Sequence, residues 1–175
     1  MKKLIIISTI LFVAVCSYSQ TAVTVPEIPL ENKYGLAHSF MYNVGLTALN
    51  LANAEGITAK EYGILCGDIY KAAWPEEKSF EEFAQDCIYH LACLSGKRDS
   101  ENPSVVLKNQ SENKIVFVVN DLYPGLYEQG EMWGTSYKDM VKWWEATYNQ
   151  IAKKYNLSYT METDENKVIV TISKN

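Results

Sequence analysis

With 16 lysines and arginines against 21 aspartates and glutamates in 175 residues, the chain is acidic, with a net charge of −5. It has no basic stripe, so it lacks the electrostatic footprint of a protein that binds nucleic acid or anionic lipid. Its length suits one domain with a sizeable core.

The first residues read as a secretory signal. Lys2 and Lys3 precede an apolar run over residues 4–15, and Ser17 and Ser19 put small side chains where a signal peptidase needs them. Residues 1–19 are the expected signal, with Gln20 as the first mature residue. Lipidation at Cys16 is the weaker alternative, because bulky Val15 precedes it. Without Lys2 and Lys3 the chain keeps 14 basic residues against 21 acidic ones, a net charge of −7. The expected location is periplasmic or extracellular, with no membrane association after cleavage. Residues 20–32, with Pro26 and Pro29, read as an extended arm. One α+β domain is expected over residues 33–175, with helices over 33–96 and a sheet with one helix over 103–174.

Residues 34–54 contain no Asp, Glu, Lys or Arg. A helix without a charged face is expected to be covered on most sides. His38, Asn43, Asn50 and Asn53 argue against a membrane span, where polar side chains are costly. A face for a second subunit, giving a homodimer, and a pocket wall are the alternatives. Asn32 is a candidate N-cap and Gly56 a candidate C′ residue.

The second helix opens with the capping box Thr58–Glu61. Tyr62, Leu65, Cys66, Ile69, Tyr70 and Ala73 then recur at helical spacing, and Pro75 is the expected stop. Gly63 and Gly67, four apart, permit close approach of another helix. A third helix opens with the capping box Ser79–Glu82, buries Phe83, Cys87, Leu91 and Leu94, and stops at Gly96. Short connections predict that these helices pack as antiparallel neighbours.

The pattern then changes to strands. Residues 104–107 and 114–120 predict a hairpin across the polar residues 109–113. Residues 115–119 are apolar at every position and predict a central strand covered on both faces. Residues 121–135 are irregular. Ser136 and Asp139 cap a last helix whose buried stripe is Met140, Trp144, Thr147, Tyr148, Ile151 and Tyr155, with Trp143 beside it. Lys153 and Lys154 suit its C-terminus and Asn156 its left-handed end. Alternation over residues 157–162 and 168–172 predicts a second hairpin that turns at 164–166. Helices followed by β-β-α-β-β argue for an α+β fold with an antiparallel sheet.

Three groups of residues could carry chemistry. Cys87, His90 and Cys93 share one broad helix face with sulfur and imidazole suited to zinc or copper, yet no CxxC or HExxH run accompanies them. No metal or other cofactor is therefore expected. The catalytic candidates are Cys66, Cys87, His90 and His38, with Asp86 four residues from His90 and able to orient it. Against catalysis stands the bland reading of the thiols as buried small residues. A Cys66–Cys87 or Cys66–Cys93 disulfide is an equal alternative to free thiols. The third group is Tyr123, Tyr127, Trp133 and Trp143 with Glu131, aromatic rings and an acid suited to a small amphipathic or cationic ligand.

The stretch Leu122-Tyr123-Pro124-Gly125-Leu126, residues 136–155 and the closing hairpin resemble small secreted bacterial proteins. Helices leading into a β-β-α-β-β tail resemble the aminothiazoline-carboxylate hydrolase type of domain in order of elements, and no catalytic motif of that type matches here. The expected function is binding of a small ligand or partner by an exported protein. A cysteine- or histidine-dependent hydrolase and a subunit-association module are the alternatives.

Overall fold

The computed structural model describes residues 30–96, 101 and 103–175, with residues 30–38 and 41 as backbone only. The expected signal, its cleavage site, Cys16 and most of the arm lie outside these residues, as does the side chain of His38. The elements in order are helices α1 (Leu30–Ala54), α2 (Ala59–Tyr70) and α3 (Phe80–Leu94), strands β1 (Val105–Gln110) and β2 (Lys114–Asn120), and the short helix α4 (Pro124–Gln129). There follow β3 (Glu131–Met132), β4 (Thr135–Ser136), helix α5 (Tyr137–Ala152), a 3₁₀ turn (Lys153–Tyr155), β5 (Leu157–Asp164) and β6 (Lys167–Lys174). This is an α+β fold, three helices preceding an antiparallel sheet of order β1-β2-β6-β5. Residues 37–175 form one compact unit.

Local chemistry sets the helix ends. Thr58 and Ser79 each accept a hydrogen bond from the N–H three residues on, and Glu61 and Glu82 return it, so both capping boxes are complete. Helix α1 ends in a Schellman turn. Gly56 takes φ +77°, Ile57 N–H donates to Ala52 O at 2.9 Å, and Gly56 N–H donates to Asn53 O at 3.0 Å. The other end differs from expectation, because α1 already includes Asn32, which therefore is not its N-cap. Helix α2 stops at Tyr70, ahead of Pro75, and the intervening residues form turns.

Helix α1 is also less covered than its lack of charge suggests. Leu46, Leu49 and Ala52 are buried, but Phe40, Val44 and Leu51 are 68, 49 and 63% exposed. Those three lie on one stripe opposite the buried one. Absence of ionic groups thus marks a helix with one covered face, anchored by Thr135 Oγ1–H donating to Leu46 O (3.2 Å) and by the Tyr42 ring 5.0 Å from that of Tyr123.

The leading helices do not form a bundle of their own. Helix α2 lies along α5 instead. A Cβ on Gly63 would stand 2.5 Å from Trp143 O and 2.7 Å from Ala146 Cβ; one on Gly67 would stand 2.6 Å from both Thr147 O and Gln150 Cβ. The two glycines therefore let two backbones meet. The Thr147 hydroxyl joins them, 2.8 Å from Trp143 O and 3.2 Å from Gly63 O. This explains why α5 is buried on two faces, with Trp143 and Ala146 on the α2 side as well as Met140, Tyr148 and Ile151.

The sheet carries its helices on one face. Ile115, Phe117, Val119, Val168, Val170, Ile172 and Tyr159 fill the core. The opposite face of β2 is only partly covered. Val118 is buried, but Val116, Val106, Ile169 and Thr171 are half-buried. Cover on both faces was the expectation; paired strands that place Val106, Val118 and Ile169 side by side shelter one another laterally instead. Strand β1 also runs past Leu107 to Gln110, with a bulge between Leu107 and Asn109.

Replacing Gly63 or Gly67 by Ala should lower stability by about 1–3 kcal/mol, the usual cost of overpacking a contact that cannot open. Gly125→Ala, in α4 with nothing near its Cβ position, should be neutral or slightly stabilising. Urea unfolding midpoints of the three variants check this.

Candidate functional site

A cavity of about 370 Å³ opens where the end of α2, the last turns of α3 and the middle of α5 meet. Spacing explains its walls. His90, Cys93 and Leu94 occupy one face of α3; Trp144, Thr147, Tyr148 and Ile151 occupy one face of α5. Tyr70, Ala73 and Trp74 close it from the turn after α2. Among the described residues no charged side chain lines it.

Aromatic rings define its shape. Trp144 and Tyr148 lie nearly parallel, 5.4 Å apart at 23°, while Trp74 stands edge-on to Tyr148 at 87° and to His90 at 89°. Each ring is held from outside. The Trp144 indole N–H donates to Tyr123 Oη at 2.9 Å. Trp74 packs on Phe83 at 5.4 Å, and Lys78 Nζ lies 5.3 Å from its ring centre. Lys154 Nζ donates to Lys71 O (3.2 Å) and Trp74 O (2.9 Å), and Tyr155 Oη–H donates to Pro75 O (2.7 Å). The lysine that the sequence assigns to the end of its own helix thus satisfies the C-cap carbonyl of α2 and a carbonyl in the turn that follows it.

The polar centre of the cavity is His90, whose Nδ1 lies 3.0 Å from Tyr148 Oη. The Tyr148 side chain is buried, and burial first, then neighbouring Cys87, pushes its phenol well above the ordinary range, so it keeps its proton. Among the described residues the hydrogen-bond partner of that hydroxyl is His90 Nδ1. A buried hydroxyl with no acceptor is costly, which favours the tautomer in which Tyr148 donates and His90 carries its own proton on Nε2. Desolvation also holds the imidazole below its ordinary 6.5, with Asp86 raising it and Lys78 lowering it. Asp86 does not orient the ring, as its four-residue spacing from His90 suggests; it is hydrogen-bonded to Lys78.

The sulfur chemistry comes out differently from the sequence. Of the two equal alternatives the structure holds the free thiols, with Cys66 and Cys87 buried and Cys93 exposed. Burial raises the Cys87 thiol well above its ordinary range, opposite to what a nucleophile needs. Among the described residues no three His, Cys, Asp or Glu side chains come together to hold a metal ion. Cys87 faces the core while Cys93 faces the cavity, which separates that trio.

Of the residues singled out for ligand binding, none lines this cavity. Tyr123 is buried behind Trp144. Trp143 is buried between α1 and α2, 3.6 Å from where a Gly45 Cβ would be and 6.3 Å from the parallel Tyr62 ring. Tyr127 packs edge-on against Tyr137 at 5.3 Å, and Trp133 and Glu131 are exposed. Trp74 and Tyr148, the partners of His90 in this cavity, are the residues that sequence reasoning missed as a site. The only advance signal was His90 itself, three and four residues before Cys93 and Leu94.

No family model matches the chain, and no curated protein matches it. Among solved structures it is similar to a mutant H-NOX protein from K. algicida in its Fe(II) unliganded state, at 16% identity and a TM-score of 0.36, over 71% of this chain and 68% of that one. A likeness this slight carries no assignment of ligand.

Two outcomes follow from the site. Because His90 is harder to protonate folded than unfolded, its contribution is present above about pH 6.5 and is lost as pH falls through its lower folded value. The melting temperature should therefore drop below about pH 6.5, and His90→Phe should flatten that drop; melting curves across pH 5–8 check it. Iodoacetamide should label Cys93 in the native protein and Cys66 and Cys87 only after unfolding, as read by peptide mass spectrometry.

Proposed function

We propose that the protein is an exported binder of small apolar molecules, seated in the cavity between α2, α3 and α5. The observation that carries the reading is an uncharged, aromatic-walled space of about 370 Å³ with a single prearranged polar pair, His90 and Tyr148. Ligand sites commonly combine an apolar wall with a few placed polar groups. No helix among the described residues is long and apolar enough to cross a membrane, which is compatible with export.

Thermal-shift screening against small apolar metabolites and metals tests this, since a ligand of the native state raises the melting temperature. Cys93→Phe fills the cavity from an exposed position. Compounds that stabilise the natural chain should lose the effect in this variant. Absence of any stabilising compound, or an equal effect in both proteins, overturns the reading.

Two other readings each have one observation in favour. Cys93 and His90 share a cavity wall, as a cysteine-dependent hydrolase requires. Ester hydrolysis abolished by Cys93→Ser would establish it. Subunit association through α1 is favoured by the exposed stripe of Phe40, Val44 and Leu51. A sedimentation mass of one chain at high concentration removes it.

A further inference from the structure

We infer that the cavity takes an uncharged, flat aromatic or heteroaromatic molecule with one hydrogen-bond acceptor, and that His90 meets this acceptor through its Nε2–H. The inference rests on the ligand-binding reading above and specifies what is bound.

An inventory of polar groups in the walls leads to this class. Thr147 gives its hydroxyl proton to backbone carbonyls, Trp144 gives its N–H to Tyr123, and Tyr148 gives its O–H to His90. None of the three has a proton left for a ligand. His90 Nε2 has no hydrogen-bond partner among the described residues. In this proposal Tyr148 is the donor to Nδ1, which places the imidazole proton on Nε2 and makes that nitrogen the donor toward a ligand. Besides His90, only the weak donor Cys93 and the exposed Tyr70 hydroxyl remain among the described wall residues.

The described residues around the ring disfavour charge. Among them the charged groups near His90 are Asp86 and Lys78, which pair with each other. Lys154 is committed to carbonyls and Glu76, and Lys71 to Asp68. A carboxylate or an amine entering the cavity would shed water without gaining a counter-ion. Shape selects a flat molecule. The parallel Trp144 and Tyr148 rings and the perpendicular Trp74 offer a face and an edge, the two arrangements aromatic rings prefer. The volume lies toward the small end of the range of about 300–1,000 Å³ typical of ligand sites, which suits a bicyclic molecule better than a long chain.

Three probes of similar size separate the terms: coumarin (neutral, with a carbonyl acceptor), naphthalene (no acceptor) and 2-naphthoate (anionic). Binding to the natural chain, Cys93→Phe and His90→Phe is measured at pH 7.5 by ligand-observed NMR titration. Coumarin should bind about five- to tenfold more tightly than naphthalene, the worth of one hydrogen bond, and at least tenfold more tightly than 2-naphthoate. His90→Phe should bring coumarin to the level of naphthalene and leave naphthalene unchanged. In the natural chain, nitrogen-15 shifts of the imidazole should show the proton on Nε2, a readout that does not depend on any variant folding.

Equal or tighter binding of 2-naphthoate overturns the ligand class and leaves the binding site standing. Coumarin binding unaffected by His90→Phe, or a proton found on Nδ1, overturns the role of His90 alone. No binding by any probe, or binding indifferent to Cys93→Phe, overturns both the class and the site.

Discussion

The contact on which the rest depends is the approach of α2 to α5 without side chains between them. Gly63 and Gly67 present bare backbone to Trp143 O and Thr147 O, and Thr147 sits at the seam with its hydroxyl turned to both chains. Small residues at a helix crossing fix distance and rotation together, because neither helix can roll without collision. With α2 so placed, its end must pass over Thr147, Tyr148 and Ile151, and the turn that carries Trp74 becomes a wall. The cavity is therefore a by-product of how closely these helices meet further up.

The interior is unusually rich in rings that carry polar tips, and their treatment is uneven. Tyr123 and Trp144 satisfy each other, as do Tyr148 and His90. Tyr137 Oη, Trp143 Nε1 and Tyr159 Oη are buried with no partner among the described residues. Burial raises the phenols of Tyr137, to about 12, and of Tyr159, well above the ordinary range. The pairs with partners flank the cavity. Polar satisfaction is thus concentrated where the wall must be held in one arrangement, which is where a rigid site gains most from it.

Much of the architecture was legible in the residues themselves. Both capping boxes, the Gly56 terminus, the Ser136 cap and the closing hairpin follow from local chemistry that acts over three or four positions, and all appear where the pattern places them. What was not legible is pairing across long separations. An uncharged α1 says that water is unfavourable for it, but not how many faces its neighbours reach. Asp86 sits four residues from His90 on the helix, yet Lys78 captures it from before the N-terminus. The site had the same difficulty. Trp74 looked like the tail of a helix, and only the fold reveals that α5 lies against it. Tyr123, Tyr127 and Trp133 are close in sequence, whereas the cavity rings come from three separate segments, with His90 and Tyr148 58 positions apart, for which periodicity carries no signal.

Lys154 carries a consequence for the order in which this molecule can assemble. Its ammonium group closes carbonyls at Lys71 and Trp74, 83 and 80 positions earlier. During synthesis those carbonyls emerge well before their partner exists, so the turn bearing Trp74 has to wait in water for the chain to catch up. Contacts of such wide separation form late and slowly. The cavity would thus be among the last parts to mature, because the wall that bears Trp74 is tied down only when the 3₁₀ turn after α5 has formed.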